Sequence, residues 1–261
     1  MSQPIVIKVG GSILNQPDDL RFFLQTIKQI VKKQPLVIIH GGGWVVDKHL
    51  DAANLTSEKI DGIRVTKPEH MPIIAGALAG AVNKNMVASA NALGITSLGL
   101  SLHDGNMVSC LPDKPQFGQV GIPQPNQVNV LNQLLGVVDL IFIASIGQLA
   151  DGTLVNVNAD DAAVAIADLL QAQLILLTDV AGVKDGDSKV LSSLSHPQAQ
   201  ELIAQGVING GMVAKVRAAF HAANLLRRSI AVASWKTPED LLLLQQGRLP
   251  GTRIVPEQIT L

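Results

Sequence analysis

The sequence is poor in several residue types that mark particular classes of protein. It has a single cysteine, Cys110, among 261 residues, which excludes an internal disulfide framework and indicates a reducing cytoplasm. Tyrosine is absent and aromatic residues make up only 3%, which argues against a surface that stacks nucleic-acid bases. Charged residues are 16% of the chain and the formal net charge is −1, so there is no basic footprint for nucleic acid. We therefore expect a soluble cytoplasmic protein that does not bind nucleic acid.

Long apolar runs are also missing, although the mean hydropathy is +0.31. The longest apolar stretch, Met71 to Val82, is followed at once by Asn83 and Lys84, so it is too short to span a bilayer. The start of the sequence lacks the apolar region of a signal peptide. Hydrophobic residues nevertheless make up 47% of the chain, which is ample for the core of one large α/β domain or of two lobes that share a sheet.

Short runs rich in Val, Ile and Leu alternate with patterns of helical period. Continuous apolar strands between helices are typical of a mainly parallel sheet that is covered on both faces. The sequence therefore predicts an α/β fold, with a boundary between two lobes near 170–174 that divides the chain into 1–172 and 173–261. The predicted strands are 4–10, 36–40, 95–100, 137–144, 174–180 and 230–233; the predicted helices are 17–33, 44–53, 68–91, 128–135, 160–171, 197–205 and 211–226; and the predicted hairpins and loops are 55–66, 103–127 and 147–157.

Two apolar runs end in glycines, and helical patterns follow both. The first run ends in Gly10-Gly11, and the second ends in His40-Gly41-Gly42-Gly43. Glycines let backbone N–H groups approach an oxyanion closely, and a helix N-terminus adds positive potential. Neither turn has the spacing of a Walker loop or of a dinucleotide fingerprint. The turns indicate anion sites, with ordinary tight turns after strands as the alternative.

Two lysines lie beside paired glycines. Lys8 is flanked by apolar residues in the first predicted strand, two residues before Gly10, and a lysine buried there needs an anionic partner. Lys215 follows Gly210-Gly211 and is expected in the first turn of a helix, where the helix dipole disfavours a cation unless an anion is held nearby. Each lysine alone could be a solvated surface residue. Together they suggest two contacts to a phosphate group.

Further polar residues cluster in Asn156-Val157-Asn158-Ala159-Asp160-Asp161. Alternation places Asn156 and Asn158 on one face of a strand end, and Asp160 at the start of the next helix. Helix capping alone would account for one of these residues, but not for all of them. Arg64 alternates with apolar residues in a predicted hairpin. Its guanidinium group is suited to a bidentate contact with a carboxylate. The alternative is that Arg64 is an ordinary exposed residue of the hairpin.

The chain resembles the amino-acid kinase family from residue 4 to about Arg253, because seven motifs occur in the family's order. The family fold is a three-layer α/β/α sandwich around a mostly parallel, eight-stranded sheet. The resemblance implies an N-terminal lobe that binds an acid and a C-terminal lobe that binds ATP. The motifs are Ile7-Lys8-Val9-Gly10-Gly11, His40-Gly41-Gly42-Gly43, Arg64-Val65-Thr66, Gly76-Ala77-Leu78-Ala79-Gly80, Asn156-Val157-Asn158-Ala159-Asp160, Leu176-Leu177-Thr178-Asp179-Val180-Ala181-Gly182-Val183 and Gly210-Gly211-Met212-Val213-Ala214-Lys215.

The resemblance also implies roles for individual residues. Lys8 and Lys215 match the lysines that stabilise the transferring phosphoryl group, and Asp160 matches the aspartate that orients both. Positions matching the acid site are Gly42, Gly43, Arg64 and Asn156; those matching phosphate contacts are Gly10 and Gly11; those matching the nucleotide site are Asp179, Val180, Ala181, Gly182, Val183, Lys184, Val207, Ile208 and Asn209. No protein metal site is implied, because Mg²⁺ would be held mainly by the phosphates of ATP.

The reaction implied within the family is phosphorylation of the γ-carboxylate of N-acetyl-L-glutamate, in arginine biosynthesis. That carboxylate is already ionised at neutral pH, so the reaction needs charge stabilisation rather than a general base. Two alternatives remain. One is a related kinase for another acceptor, such as an aminoadipate derivative, glutamate, carbamate or a uridine nucleotide. The other is a non-catalytic sensor of acid or nucleotide, against which the intact Lys8, Asp160 and Lys215 count.

The predicted helix over 68–91 carries the small-residue pattern Gly76-Ala77-Leu78-Ala79-Gly80. Such spacing lets a second helix approach closely, and either a core helix or a second subunit could use it. The resemblance favours a homodimer. Arginine-inhibited members of the family have an extra N-terminal helix that links dimers into a hexamer. Only Met1, Ser2 and Gln3 precede the first strand predicted here, so we expect a homodimer that arginine does not inhibit.

Overall fold

The computed structural model describes residues 3–10, 13–60 and 62–257. The strands are β1 (Ile5–Val9), β2 (Leu36–His40), β3 (Lys59–Ile60), β4 (Ile63–Arg64), β5 (Ser97–Ser101), β6 (Val108–Pro112), β7 (Val120–Pro125), β8 (Leu140–Ala144), β9 (Ile146–Gln148), β10 (Leu154–Val157), β11 (Gln173–Thr178), β12 (Ser193–Leu194), β13 (Ile230–Ser234) and β14 (Thr252–Ile254). The α-helices are α1 (Pro17–Val31), α2 (Gly43–Ala52), α3 (Met71–Ala75), α4 (Asn83–Ala92), α5 (Asn129–Leu135), α6 (Ala159–Leu169), α7 (His196–Ala204) and α8 (Gly211–Leu226).

The central sheet has eight strands in the order β12-β14-β13-β11-β1-β2-β8-β5. Every neighbouring pair is parallel except β13 with β14. The predicted fold class, an α/β sandwich with a mostly parallel sheet, is therefore confirmed. Each predicted strand is present with its ends shifted by three residues or fewer, because buried parallel strands are continuous apolar runs with clear limits.

Two apolar cores lie on the two faces of this sheet. On one face, alternate strand residues such as Val6 and Val37 pack against α6 and α8. On the other face, the intervening residues such as Ile7 and Ile38 pack against α1 and α4, with Phe23 fully buried. The alternation follows from the period of two along a strand, and it produces the three layers.

The hairpins predicted at 55–66, 103–127 and 147–157 are also present. β3 pairs with β4, while β6, β7, β10 and β9 form a separate four-stranded sheet. The carboxyl ends of β1, β2 and β11 meet at one edge of the central sheet, since these strands are parallel neighbours. Ligands of open α/β sheets bind at that edge, so the fold places the candidate residues after these strands together.

Four elements differ from the prediction. The helix expected at 68–91 is divided by a π-helical segment, Gly76–Val82, which joins α3 to α4. A 3₁₀ helix spans Pro238–Gln246, and the short strands β12 and β14 extend the sheet. Among the described residues, no helix is both long and apolar enough to cross a membrane.

Candidate active site

Lys8 forms an ion pair with Asp160 at the carboxyl end of β1. The lysine Nζ lies 3.0 Å from Asp160 Oδ1, and the two side chains are 17% and 38% exposed. Asp160 is the second residue of α6, and its backbone N–H donates to Asn158 Oδ1 at 2.7 Å. Asn158 therefore caps the helix, which leaves the Asp160 carboxylate available to Lys8.

Lys215 forms its ion pair with a different carboxylate. The resemblance assigned both lysines to Asp160, but in the structure Lys215 Nζ contacts Asp179 Oδ1. The reason is topological: Asp179 is the first residue after β11, and α8 packs against β13, the parallel neighbour of β11. The hydrogen bond from Lys215 holds the pKa of Asp179 below its usual range. Because α8 begins at Gly211, Lys215 is its fifth residue and begins the second turn, not the first as expected.

The triple-glycine turn forms one wall of a cavity of about 220 Å³. An added Cβ on Gly42 would lie 2.9 Å from Leu78 Cδ2 and 3.1 Å from Val82 Cγ2. A side chain at position 42 would therefore require the side chains of Leu78 and Val82 in the π-helical segment to shift. The cavity is lined by Gly41, Gly42, Gly43, Val46, Lys59, Gly62, Ile63, Arg64, Ile74, Leu78, Val120, Ser145, Asn156, Val157, Asn158 and Ala159.

Arg64 lies in this cavity with its guanidinium group held on several sides. The side chain is only 8% exposed, and Nη1 lies 2.6 Å from Asp47 Oδ1. Nη2 donates to the carbonyl oxygen of Gly43 at 3.2 Å, and Nη1 also contacts Ser57 Oγ. Asp47 and Ser57 were not anticipated. Asp47 could have been noticed, because it follows Gly43 by one helical turn and so lies on the same face of α2.

Asn156 also lines this cavity, near the end of β10. Its Nδ2 donates to Thr66 Oγ1 at 3.3 Å. Thr66 is fully buried and lies just after the hairpin that carries Arg64. The structure therefore brings Gly42, Gly43, Arg64 and Asn156 to one cavity. Gly10 follows β1 and has open space where a side chain would be, whereas Gly11 lies outside the described residues.

The candidate nucleotide-binding segments form a second group of loops, which starts at Asp179, the ion-pair partner of Lys215. Val183 N–H donates to Thr252 Oγ1 at 2.9 Å, and Lys184 pairs with Val190 across an antiparallel bridge. The same turn comes near the other segment, since a Cβ on Gly186 would lie 3.9 Å from Val207 Cγ2. The segments consist of Asp179, Val180, Ala181, Gly182, Val183 and Lys184, followed by Val207, Ile208 and Asn209.

These segments are fixed by contacts with the rest of the C-terminal region. An added Cβ on Gly182 would lie 2.6 Å from Thr252 Oγ1, so the loop packs directly against β14. Ile208 N–H donates to Leu202 O at 3.1 Å, and Asn209 Nδ2 donates to Gly206 O at 2.8 Å. The next residue, Gly210, has φ +53° and precedes α8, a conformation that glycine adopts without strain.

Lys236 is a further cation at this edge that the sequence argument missed. It follows β13, the parallel neighbour of β11, and its charge contributes to the lowered pKa of Asp179. Its Nζ lies 5.5 Å from the ring centroid of Trp235. Residues after neighbouring parallel strands share an edge, so the predicted position of the strand at 230–233 could have identified it.

The described residues include no group of three or more His, Cys, Asp or Glu side chains that could hold a metal ion. Groups that could bind an oxyanion, in contrast, are present. The 16-residue helix α8 presents its N-terminus beside Lys215, and unpaired backbone N–H groups at such an end favour phosphate. The donor set therefore fits the phosphate groups of a nucleotide.

The chain belongs to the amino acid kinase family, a family of phosphotransferases, because the family model matches residues 3–234. It is 55% identical over 254 residues to the acetylglutamate kinase of Colwellia psychrerythraea, with 97% of each chain covered. It is 44% identical to the acetylglutamate kinase of Aeromonas salmonicida, over 97% of this chain and 98% of the relative. Among solved structures, smu.665 from Streptococcus mutans UA159 is similar, with a TM-score of 0.79, 30% identity, and coverage of 98% of this chain and 100% of that one.

Proposed function

We propose that this protein transfers the γ-phosphoryl group of ATP to the γ-carboxylate of N-acetyl-L-glutamate, a step of arginine biosynthesis. One observation carries the proposal: the cavity beside the triple-glycine turn opens at the sheet edge that also holds the Lys8–Asp160 and Lys215–Asp179 pairs. Relatives named acetylglutamate kinase, 40–55% identical over 97% of the chain, support this choice of acid.

The acid would bind between Arg64, Asn156 and the glycine turn. Arg64 would hold the α-carboxylate, since its planar guanidinium matches that group. Asn156 would pair with the neutral acetamide, and the N–H groups of Gly42 and Gly43 would donate to the acid. The γ-carboxylate would then point toward Lys8, because Asn156 and Asp160 are joined by the short turn that caps α6.

Charge stabilisation would account for most of the catalysis. The attacking carboxylate is ionised at neutral pH, so no residue has to remove a proton. Lys8 and Lys215 would donate to the transferring phosphoryl group, where negative charge is spread over the oxygens in the transition state. In this arrangement Asp160 orients Lys8 and Asp179 orients Lys215, while Gly10 and Gly11 contribute backbone donors near the phosphate.

ATP would occupy the C-terminal lobe, 173–261, and the acid the N-terminal lobe, 1–172. The two lobes share one continuous sheet, so both ligands meet at its carboxyl edge. The residues at 179–184 and 207–209 would contact the nucleotide, and the N-terminus of α8 would face its phosphates. Mg²⁺ held mainly by those phosphates would neutralise part of their charge.

We also propose that the protein is a cytoplasmic homodimer that is not inhibited by arginine. Support for the dimer comes from the segment around Gly76 and Gly80, since both glycines have open space where a Cβ would be. A second copy of this helix could therefore approach the backbone closely. Insensitivity to arginine is a prediction of the sequence argument alone.

A coupled assay for ADP release across a panel of acids tests the function. We expect N-acetyl-L-glutamate to give the highest kcat/KM, against glutamate, aspartate, carbamate and an aminoadipate derivative. Hydroxylamine should trap the product as an acyl hydroxamate, because it reacts with acyl phosphates. ADP release that no acid stimulates would refute the kinase proposal, and a clear preference for another acid would refute the choice of substrate.

A further inference from the structure

A buried chain of polar side chains leads from α4 to the triple-glycine turn. His40, the last residue of β2, is 0% exposed, and its Nδ1 lies 2.9 Å from the carbonyl oxygen of Gly41. Its Nε2 lies 3.0 Å from Nδ2 of Asn83, which is also fully buried. Lys84 completes the chain, because its Nζ donates to Asn83 Oδ1 at 3.1 Å and to Gly99 O at 2.8 Å. The proposed chemistry uses none of these three side chains.

The contacts of Asn83 determine which nitrogen of His40 carries the proton. Asn83 Nδ2 faces the carbonyl oxygens of Leu100 and Phe142 at 3.3 Å each, so it must be the amide nitrogen and a donor. His40 Nε2 is therefore the acceptor. The single proton of the neutral ring lies on Nδ1 and is donated to Gly41 O. Burial lowers the pKa of His40 to about 4, so the ring is neutral at physiological pH.

The carbonyl of Gly41 and the N–H of Gly42 belong to the same peptide unit. Because that unit is planar and trans, fixing the direction of the carbonyl also fixes the direction of the N–H, which points the opposite way. Leu78 and Val82 press against Gly42 from the π-helical segment and support the same arrangement. Glycines alone would leave this peptide free to rotate.

We infer that His40, held in one tautomer by Asn83, is a positioning residue that aims the Gly42 N–H at the acid substrate. The inference rests on the proposed function, because it assumes that Gly42 donates to the acid. It also gives Asn83 and Lys84 a role, since they connect the start of α4 with the acid cavity.

Few charges act on the ring of His40. Lys84 of α4 lowers the pKa of His40. Lys8, on the adjacent strand β1, is paired with Asp160 of α6, and the neighbouring strand β8 has no ionisable side chain. The π-helical segment has none either. A carboxylate introduced at position 83 would therefore add a negative charge directly beside the ring.

Two variants of His40 separate positioning from packing. His40→Leu removes the donor to Gly41, and we expect the KM for N-acetyl-L-glutamate to rise about tenfold, the scale of one lost hydrogen bond. The KM for ATP should change less than about twofold, since the proposed nucleotide segments at 179–184 and 207–209 do not include this turn. His40→Asn places an amide N–H near the position of Nδ1 and should recover most of the affinity for the acid.

Asn83→Asp gives a readout that packing alone would not produce. At low pH the ring would be protonated and donate from both nitrogens, so the bond to Gly41 would remain. As the pH rises, the ring would lose a proton and keep the one facing the new carboxylate, so Gly41 would lose its donor. We expect the KM for the acid to rise with pH between about 6 and 9 in this variant, and to stay flat there in the parent protein.

Nitrogen NMR of the His40 ring makes the test independent of catalysis. The parent protein should show a protonated Nδ1 and an unprotonated Nε2, and Asn83→Asp should reverse this at high pH, with a shift of the Gly42 amide signal. A parent ring protonated on Nε2, a flat KM in Asn83→Asp, or equal rises in both KM values would overturn the inference. A parent protein that does not phosphorylate N-acetyl-L-glutamate would instead refute the proposed function, and the ring and amide signals would still decide the positioning role. Thermal unfolding identifies any variant that fails to fold. If His40→Leu fails to fold, the isosteric Asn83→Asp variant still tests the inference.

Discussion

Replacing Lys215 with alanine should lower kcat about 10²–10³-fold, which is the usual effect of removing one preorganised donor to a developing negative charge. In free-energy terms this is about 2.7–4 kcal/mol of lost transition-state stabilisation. The KM values should change much less, because the contact is strongest when charge accumulates on the transferring group. Lys8→Ala should behave in the same way, since Lys8 is proposed to donate to the same phosphoryl group.

The same substitution should barely affect the stability of the fold. Lys215 and Asp179 are 39% and 55% exposed, and exposed ion pairs contribute at most about 1 kcal/mol. For a chain of 261 residues, a change of this size moves the Tm by no more than about 4 °C. Lys8→Ala should lower the stability of the fold somewhat more, because Lys8 is only 17% exposed.

Stopped assays of purified variants, with calorimetry of each, check this separation of kcat from Tm. Lys32→Ala is a matched control, because Lys32 is exposed and follows α1 near the amino ends of the strands, at the edge opposite the site. It should keep the parent kcat and Tm. A Lys215→Ala or Lys8→Ala enzyme with near-parental kcat would refute the assigned role, and a loss of kcat that parallels a large drop in Tm would show a structural effect instead.

Three further predictions follow from the acid site and the proposed assembly. Arg64→Ala should raise the KM for the acid far more than the KM for ATP, since the α-carboxylate keeps its charge throughout the reaction; equal rises, or a loss in kcat alone, would contradict this. N-acetyl-L-glutamate should be preferred over glutamate by about 10³-fold in kcat/KM, because none of the matched substrate positions has an acidic residue that could pair with the ammonium group of glutamate. Comparable values for the two acids would exclude N-acetyl-L-glutamate as the substrate. Sedimentation should show a dimer, and millimolar arginine should leave the rate unchanged; a hexamer, or sigmoidal inhibition, would overturn the proposed assembly.

The layers and strands of the fold could be predicted because they depend on local patterns. Buried strands such as β2 and β8 are continuous apolar runs, and their limits are visible in the sequence. The π-helical segment could not be predicted, because Gly76–Val82 consists of small and apolar residues that suit an ordinary helix equally well. Strands as short as β12 and β14 have no periodicity of their own, and they exist through pairing with distant neighbours.

The candidate site, like the fold, could be predicted only in part from the sequence. The glycine turns, Lys8 and Arg64 could be singled out, because each is unusual in its local sequence. The partner of Lys215 could not, since Asp179 lies 36 residues away and is brought close only by the order of the strands. The link between His40 and Asn83, 43 residues apart, was missed for the same reason: a histidine at a strand end gives no sign of which side chain will face it.

The ion pairs with Asp160 and Asp179 leave N–H donors on Lys8 and Lys215 for a further partner, which we propose to be phosphate. An ammonium group has three N–H donors, and one carboxylate engages only part of them. Asp160 and Asp179 can therefore fix the position of Lys8 and Lys215 while donors remain for the oxygens of the phosphoryl group. Both carboxylates are partly exposed, so holding these pairs together costs little desolvation. Positioned cations that keep free donors are what electrostatic catalysis requires, because their orientation is set before the negative charge develops.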